Sequence, residues 1–152
     1  MRNILIIGAG RSSASLINYL LEKSEAEKLQ ITIADINIDL AESIIKDHSN
    51  AKAMVLDIFN EQSRVSAVKN ADIVVSMLPA RFHVEVAKDC ITYGKNMVTA
   101  SYISPEMQAL HDDAKANGLV LMNEIGVDPG IDHMSAMQVL DNIRSKGGKI
   151  IL

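Results

Sequence analysis

The sequence predicts an α/β fold, a doubly wound parallel sheet, and three observations carry that prediction. Short apolar runs alternate with longer segments of helical period. The short runs show little polar alternation, as strands buried on both faces do, so helices must cover each side of the sheet. The first run opens directly into a glycine-rich turn, Gly8-Ala9-Gly10-Arg11-Ser12-Ser13.

In chain order, Asn3–Ile7, Gln30–Ala34, Ala53–Leu56, Ile73–Ser76, Asn96–Thr99 and Leu119–Met122 read as strands. Between and after them, Ser13–Lys23, Ile38–Ile45, Gln62–Lys69, Phe82–Tyr93, Pro105–Ala116 and Asp132–Arg144 place apolar residues three and four apart and read as helices. Tyr93-Gly94 and Asn117-Gly118 put Gly just past helix ends, where a left-handed residue is needed. Ser104-Pro105 is a start signal, a Ser cap followed by Pro at the first helical position, where its missing N–H costs nothing. Gly147-Gly148 breaks the chain late, and Lys149–Leu152 reads as a new strand, either the start of a longer protein's next part or a seventh strand closing the sheet.

At 152 residues the chain is one domain in size. With 48% hydrophobic and 22% charged residues it reads as a soluble globule, not a disordered chain. Aromatics are 3% with Trp absent, which disfavours base stacking, and the net charge of −4 gives no basic footprint for nucleic acid. The apolar run after Met1-Arg2-Asn3 is too short for a signal peptide or membrane span. Cys90, without a Cys partner or a nearby His, reads as a buried small hydrophobe in a reducing cytoplasm.

Strand, glycine turn and helix together point to a dinucleotide site of the Rossmann kind, with the pyrophosphate on backbone N–H groups at the helix N-terminus. Gly8 permits the tight turn and Gly10 lets the backbone approach the phosphates, while Ser13 stands where a third Gly usually allows close helix packing. Asp35 ends the second strand, 22 positions after Ser13, close to the spacing for a carboxylate on the adenosine ribose, with Ile36 beside it and Asp39 one turn on. A 2′-phosphate about 4 Å from that carboxylate would meet repulsion of about 4 kcal/mol at an effective dielectric of about 20, nearly three decades in affinity. NAD is therefore expected over NADP; the counter-reading is Arg11 swinging over to neutralise a 2′-phosphate.

In open parallel sheets ligands bind beyond the carboxyl ends of strands. After strand four, Met77-Leu78-Pro79 could lie along the cofactor, or Pro79 could simply start a helix. After strand five, Ser101 is free to bind a ligand because Ser104 holds the cap, and Tyr102 either joins it or packs. After strand six, Asn123–His133 is the densest polar stretch, with Asp128 the leading candidate for chemistry. Its plainer role is to cap the next helix, with Pro129 at the first position. Glu124 and Asp132 either pair with substrate ammonium groups or are solvated, and His133 is either a general base or a helix residue. His48, His83 and His111 lack partners at ligand spacing, so no metal site is expected.

The stretches Val74–Pro79, Asn96–Pro105 and Asn123–His133 resemble the saccharopine dehydrogenase family, glutamate-forming branch, and the likeness spans the chain. The resemblance implies oxidation of saccharopine's secondary amine by a nicotinamide cofactor, with water releasing glutamate and aminoadipate semialdehyde, in lysine metabolism. It implies that Gly8–Ser13 and Asp35 hold the adenosine diphosphate, and that Leu78, Pro79, Ala100, Ser101, Gly126, Val127 and Asp128 flank the nicotinamide half. Ser101, Tyr102 and Asp128 match substrate contacts, and Asp128 the group that binds the reacting amine or relays its proton. Many fungal relatives place Arg where this chain has Asp35-Ile36-Asn37, and use NADP. Family members also continue into a second domain that closes over the substrate.

Residues 1–146 are thus expected to form the dinucleotide-binding domain and residues 147–152 to begin the connection to a substrate domain, leaving a fragment with little turnover of its own. An uncovered apolar patch on the last helix would favour self-association as a homodimer. The partners expected are a small-molecule amino-acid substrate, with neither nucleic acid nor membrane. Two other readings stay open: a reductase of carboxynorspermidine type, which shares the architecture, and a non-catalytic NAD-sensing module, which would have no use for Asn123–His133. A non-enzymatic interaction domain would bind no dinucleotide at all.

Overall fold

The structure is a computed structural model that describes residues 1–151. Six strands, β1 (Arg2–Ile7), β2 (Leu29–Asp35), β3 (Ala51–Val55), β4 (Ile73–Ser76), β5 (Asn96–Thr99) and β6 (Leu121–Met122), form one sheet in the order β3-β2-β1-β4-β5-β6. Every pairing is parallel. The helices are α1 (Ala14–Lys23), α2 (Ile38–Ile45), α3 (Glu61–Lys69), α4 (His83–Thr92), α5 (Pro105–Gln108), α6 (His111–Ala116) and α7 (Ile131–Ser145). The expected doubly wound sheet is present.

The absence of polar alternation has its reason in two separate cores, one on each face of the sheet. Ile4, Ile6, Ile31 and Ile33 pack with Ile17 and Leu21 of α1 on one face. Leu5, Ile7, Val74 and Met97 pack with Val68 of α3 and Val86 and Cys90 of α4 on the other. A nearly buried ion pair joins those two helices: Arg64 Nε donates to Asp89 at 2.6 Å, and Arg64 Nη1 donates to the Ile58 carbonyl at 2.7 Å. The caps are those the sequence supports: Asn37, Asn60 and Ser104 each accept from an amide in the first turn of α2, α3 and α5.

Four expectations need correction. The helix expected over Pro105–Ala116 is two short ones, because the Leu110 amide bonds Met107 three residues back and tightens the chain there. The helix expected over Phe82–Tyr93 runs His83–Thr92, because the Phe82 amide bonds the Pro79 carbonyl three residues back and closes a 3-10 turn over Ala80–Phe82 ahead of it. The strand expected over Leu119–Met122 keeps only its last two residues: Leu119 N–H closes α6 onto Ala114, and Val120 N–H is taken by Asn96 Oδ1.

Last, Gly147-Gly148 caps α7 through bonds to Arg144 and Ile143, and Lys149–Ile151 join no ladder, so no strand begins there; Leu152 lies outside the described residues. Helix α7 buries none of its residues, leaving Met134 and Val139 62% and 59% exposed. Among the described residues no helix is long and apolar enough to cross a membrane.

Candidate functional site

The order of the sheet reverses between β1 and β4, and the glycine turn after β1 lies at that switch. Its first residue is fixed from both sides. Gly8 N–H donates to the Ala34 carbonyl at 2.8 Å, its φ is +107°, and a Cβ there would stand 2.8 Å from the Met77 carbonyl oxygen. Gly10 is the opposite case: a Cβ would meet nothing within 4 Å, so its backbone faces open space. Among the described residues no group accepts from the Gly10, Arg11 or Ser12 amides. Free N–H groups, an open approach and the positive end of α1 suit a diphosphate.

Ser13 takes the place of the third Gly without strain. It is fully buried, and its hydroxyl donates to the Gly10 carbonyl at 2.6 Å, closing the turn. Asp35 does more than the sequence suggests. One carboxylate oxygen accepts from Ala9 N–H at 2.7 Å and the other from Asn37 N–H at 2.9 Å, so the acid at the end of β2 is locked against the turn. Arg11, Ile36 and Asp39 are exposed.

Across the crevice, Met77 N–H donates to Ile7 at 2.8 Å and carries the chain to Leu78, which packs on the core, and Pro79. The loop after β6 lies on the residues after β5. A Cβ on Gly126 would stand 2.9 Å from the Ala100 Cβ, and Gly126 N–H donates to the Pro129 carbonyl at 2.9 Å. Gly130, at φ +145°, has no room for a Cβ, which would collide with the Gly126 carbonyl. The resulting hairpin carries Val127 and Asp128 outward, both exposed.

Asp128 accepts a hydrogen bond from the Tyr102 hydroxyl at 2.5 Å. That bond pushes the phenol above its ordinary range, helped by the negative charges of Asp128, Asp132 and Glu124. The capping role for Asp128 is overturned: α7 starts at Ile131, with Gly130 before it. Glu124 is no free carboxylate either. It accepts from Ile103 N–H at 3.0 Å while its own amide donates to the Ser101 carbonyl at 3.1 Å, tying the two loops together. Asp132 accepts from Gly130 N–H and faces His133 Nδ1, both at 2.9 Å.

The residue that sequence reasoning passed over is His83, set aside there as lacking partners. It is 3% exposed. Its Nδ1 lies 2.8 Å from Ser76 Oγ, and its Nε2 lies 2.8 Å from Ser101 Oγ and 3.2 Å from Thr99 Oγ1. Burial pulls the imidazole below the usual histidine range. The signal was present in weak form: β4 and β5 each end in a hydroxyl residue after an apolar pair, and Ser76 and Thr99 sit directly opposite one another in register.

The sequence pattern of the saccharopine dehydrogenase NADP binding domain matches residues 4–122. The chain belongs to the saccharopine dehydrogenase family. Its sequence is 37% identical to the NADP(+)-dependent, glutamate-forming saccharopine dehydrogenase of Schizosaccharomyces pombe over 150 residues, 99% of this chain and 33% of that protein. It is 33% identical to the mitochondrial alpha-aminoadipic semialdehyde synthase of Mus musculus, covering 98% of this chain and 16% of the other. The solved apo structure of saccharopine dehydrogenase (L-Glu forming) from Saccharomyces cerevisiae superposes with a TM-score of 0.87 at 32% identity, over 99% of this chain and 33% of that one.

The chain thus spans about one third of the length of its fungal relatives. Within the saccharopine dehydrogenase family pattern lie the glycine turn, Asp35, Leu78, Ala100, Ser101, Tyr102 and His83; the Gly126–Asp128 loop lies beyond its end at residue 122. That loop nonetheless falls inside the stretch shared with the Saccharomyces cerevisiae structure.

Proposed function

We propose that this chain is the nicotinamide-nucleotide-binding domain of a saccharopine dehydrogenase-like oxidoreductase that oxidises the secondary amine of saccharopine. The balance is saccharopine, NAD+ and water giving glutamate, aminoadipate semialdehyde, NADH and a proton, a reaction of lysine metabolism. The observation that carries this reading is that one parallel sheet presents, beyond the carboxyl ends of its strands, an open glycine turn after β1 and a carboxylate after β6 that a phenol already hydrogen-bonds.

Gly8, Ala9, Gly10, Arg11, Ser12 and Ser13 would cradle the diphosphate, with Asp35, Ile36 and Asp39 around the adenosine ribose. Leu78, Pro79, Ala100, Ser101, Gly126, Val127 and Asp128 would flank the nicotinamide, whose chemistry when bound is acceptance of a hydride. Ser101, Tyr102 and Asp128 would contact the substrate. The Tyr102 hydroxyl donates to one Asp128 oxygen, which leaves the other to accept from the reacting amine or relay its proton.

The cofactor proposed is NAD, although the named fungal relatives are NADP(+) enzymes. What supports it is the locked position of Asp35, whose charge cannot swing away from a 2′-phosphate because two amides hold it. Residues 1–146 would form this domain and 147–152 begin the connection onward. The compartment proposed is the cytoplasm, although the mouse relative is named as mitochondrial. The partner proposed is a small-molecule amino acid, with a homodimer formed through the uncovered face of α7.

Calorimetric titration with NAD and NADP tests the proposal. NAD binding at least about tenfold tighter supports it; the reverse order overturns the cofactor choice, and binding of neither near about 1 mM overturns the nucleotide reading itself.

A further inference from the structure

We infer that Glu124 is a positioning residue: it grips the main chain on both sides of Tyr102 and holds the phenol on Asp128 before a ligand arrives. This rests on the proposed function, which gives Tyr102 and Asp128 the substrate contact.

The segment that carries Tyr102 has no regular structure of its own. It leaves β5 at Thr99 and reaches α5 at the Ser104 cap, with Tyr102 and Ile103 in neither helix nor strand. Its ends are fixed: Ser101 N–H donates to Thr99 Oγ1 at 3.3 Å, and Ser104 Oγ accepts from Met107 N–H at 3.2 Å. Between those ends, among the described residues, the main chain makes hydrogen bonds to Glu124 alone. Glu124 N–H donates to the Ser101 carbonyl at 3.1 Å, and the Glu124 carboxylate accepts from Ile103 N–H at 3.0 Å. Tyr102 sits between the two.

Glu124 itself stands at φ +62°, where L side chains are rare. Gly would occupy that backbone at less cost but has no acceptor for Ile103. A strained residue persists where its contacts overdetermine it, and here amide and side chain meet the same loop. Four residues on, in the hairpin closed by Gly126 and Gly130, Asp128 accepts from the Tyr102 hydroxyl at 2.5 Å. Three bonds therefore close a ring between the loops after β5 and β6, two at Glu124 and one at Asp128.

Tyr102 is 60% exposed, so burial does not hold its ring. On an unanchored loop the phenol would divide its time between water and Asp128, and each return to the carboxylate would carry the entropy cost of ordering the segment. With the Ser101 carbonyl and the Ile103 amide fixed, that ordering is done in advance, as a hydroxyl poised beside a reacting group requires. The Glu124 charge is a separate influence, acting on the phenol after the bond and charge of Asp128 and the charge of Asp132.

Substitution separates grip from charge on the chain as it stands. Glu124→Gln removes the charge and keeps an acceptor for Ile103, whereas Glu124→Ala removes both and leaves the backbone strain in place. NMR of labelled tyrosines follows the 3 phenols, with Tyr102 assigned by its loss in Tyr102→Phe. Tyr102 is expected to titrate at lower pH in Glu124→Ala than in Glu124→Gln, approaching its position in Asp128→Asn. Hydrogen exchange at the Ile103 amide is expected to quicken about three- to tenfold in Glu124→Ala and to stay native in Glu124→Gln.

Equal Tyr102 titrations in the two variants would reduce Glu124 to a nearby charge and overturn the inference, as would native Ile103 exchange in Glu124→Ala. Should Glu124→Ala fail to fold, Glu124→Asp keeps the charge and shortens the reach by one methylene. Native Tyr102 titration and native Ile103 exchange in that variant overturn the inference; a lowered titration with quickened exchange supports it. Failure of the native chain to bind NAD would strike the proposed function instead, and the Tyr102 titration, read without ligand, would be unaffected by it.

Discussion

The Asp35 carboxylate accepts a hydrogen bond from the Ala9 amide at 2.7 Å, joining the end of β2 to the turn after β1 across 26 residues of chain. One side chain therefore shapes the glycine turn and, on the proposed function, sets the charge beside the ribose. Replacing it with Ser should show both effects. Loss of the charged acceptor leaves the Ala9 amide, on a residue 4% exposed, unsatisfied, at a cost of about 1–3 kcal/mol. Removal of the charge should shift the NAD to NADP affinity ratio at least about tenfold toward NADP. Thermal unfolding reads the first and calorimetry the second; an unchanged ratio would remove Asp35 from cofactor choice.

The two glycines of the turn should separate stability from binding. Gly8→Ala forces a side chain into a φ of +107° and against the Met77 carbonyl at 2.8 Å, so it should destabilise the fold by about 1–3 kcal/mol or more. Gly10→Ala adds a methyl where nothing lies within 4 Å. It should melt near the native temperature yet bind dinucleotide at least about tenfold more weakly, because the methyl occupies the diphosphate's approach. Equal nucleotide affinity for Gly10→Ala and the native chain would place the diphosphate elsewhere.

These positions were legible in the sequence because they are backbone demands. Only Gly serves at Gly8, and strands buried on both faces must read as unbroken apolar runs. The His83 network was not legible, since it depends on the register that sets Ser76 beside Thr99. Hydroxyl residues at strand ends have many ordinary uses, and nothing in the order of residues says which two will be neighbours. The plainer alternative for Asp128, a helix cap, failed for a related reason. Asp followed by Pro is a good local start signal, but the close approach of Gly126 to Ala100 holds Asp128 in a hairpin ahead of α7, leaving it the exposed carboxylate that the leading reading required.

Cys90 gives a prediction with a defined sign. It is fully buried between α4 and the sheet, and burial first, then the charge of Asp89, raises its thiol from 9.0 to about 12. The unfolded chain ionises first, so the native state loses stability as the pH rises from about 9 toward 12, and holds the full contribution below that window. The slope from this thiol alone is about 1.4 kcal/mol per pH unit. Denaturant titrations across the window should show native protein losing one more proton's worth of slope than Cys90→Ala; identical slopes would mean that the thiol ionises in place. Thiol reagents should likewise fail to label the folded chain at pH 8 and label it on unfolding.

The exposed Tyr102–Asp128 pair should be visible by titration alone. The bond from the phenol to the carboxylate favours neutral tyrosine, which is why Tyr102 stands above its ordinary value of 10.0. Asp128→Asn removes the charge and weakens the acceptor, so the Tyr102 phenolate should appear at lower pH, with Tyr102→Phe identifying which of the 3 tyrosines moved. Asp128 is exposed and caps no helix, so the same substitution should leave thermal stability close to native. In a full-length enzyme, the proposed function expects Asp128→Asn to lower kcat far more than it alters NAD affinity, since there the amine's proton would lose its acceptor while the glycine turn is untouched. Native turnover with a shifted Tyr102 titration would separate the hydrogen bond from catalysis and take Asp128 out of the proton path.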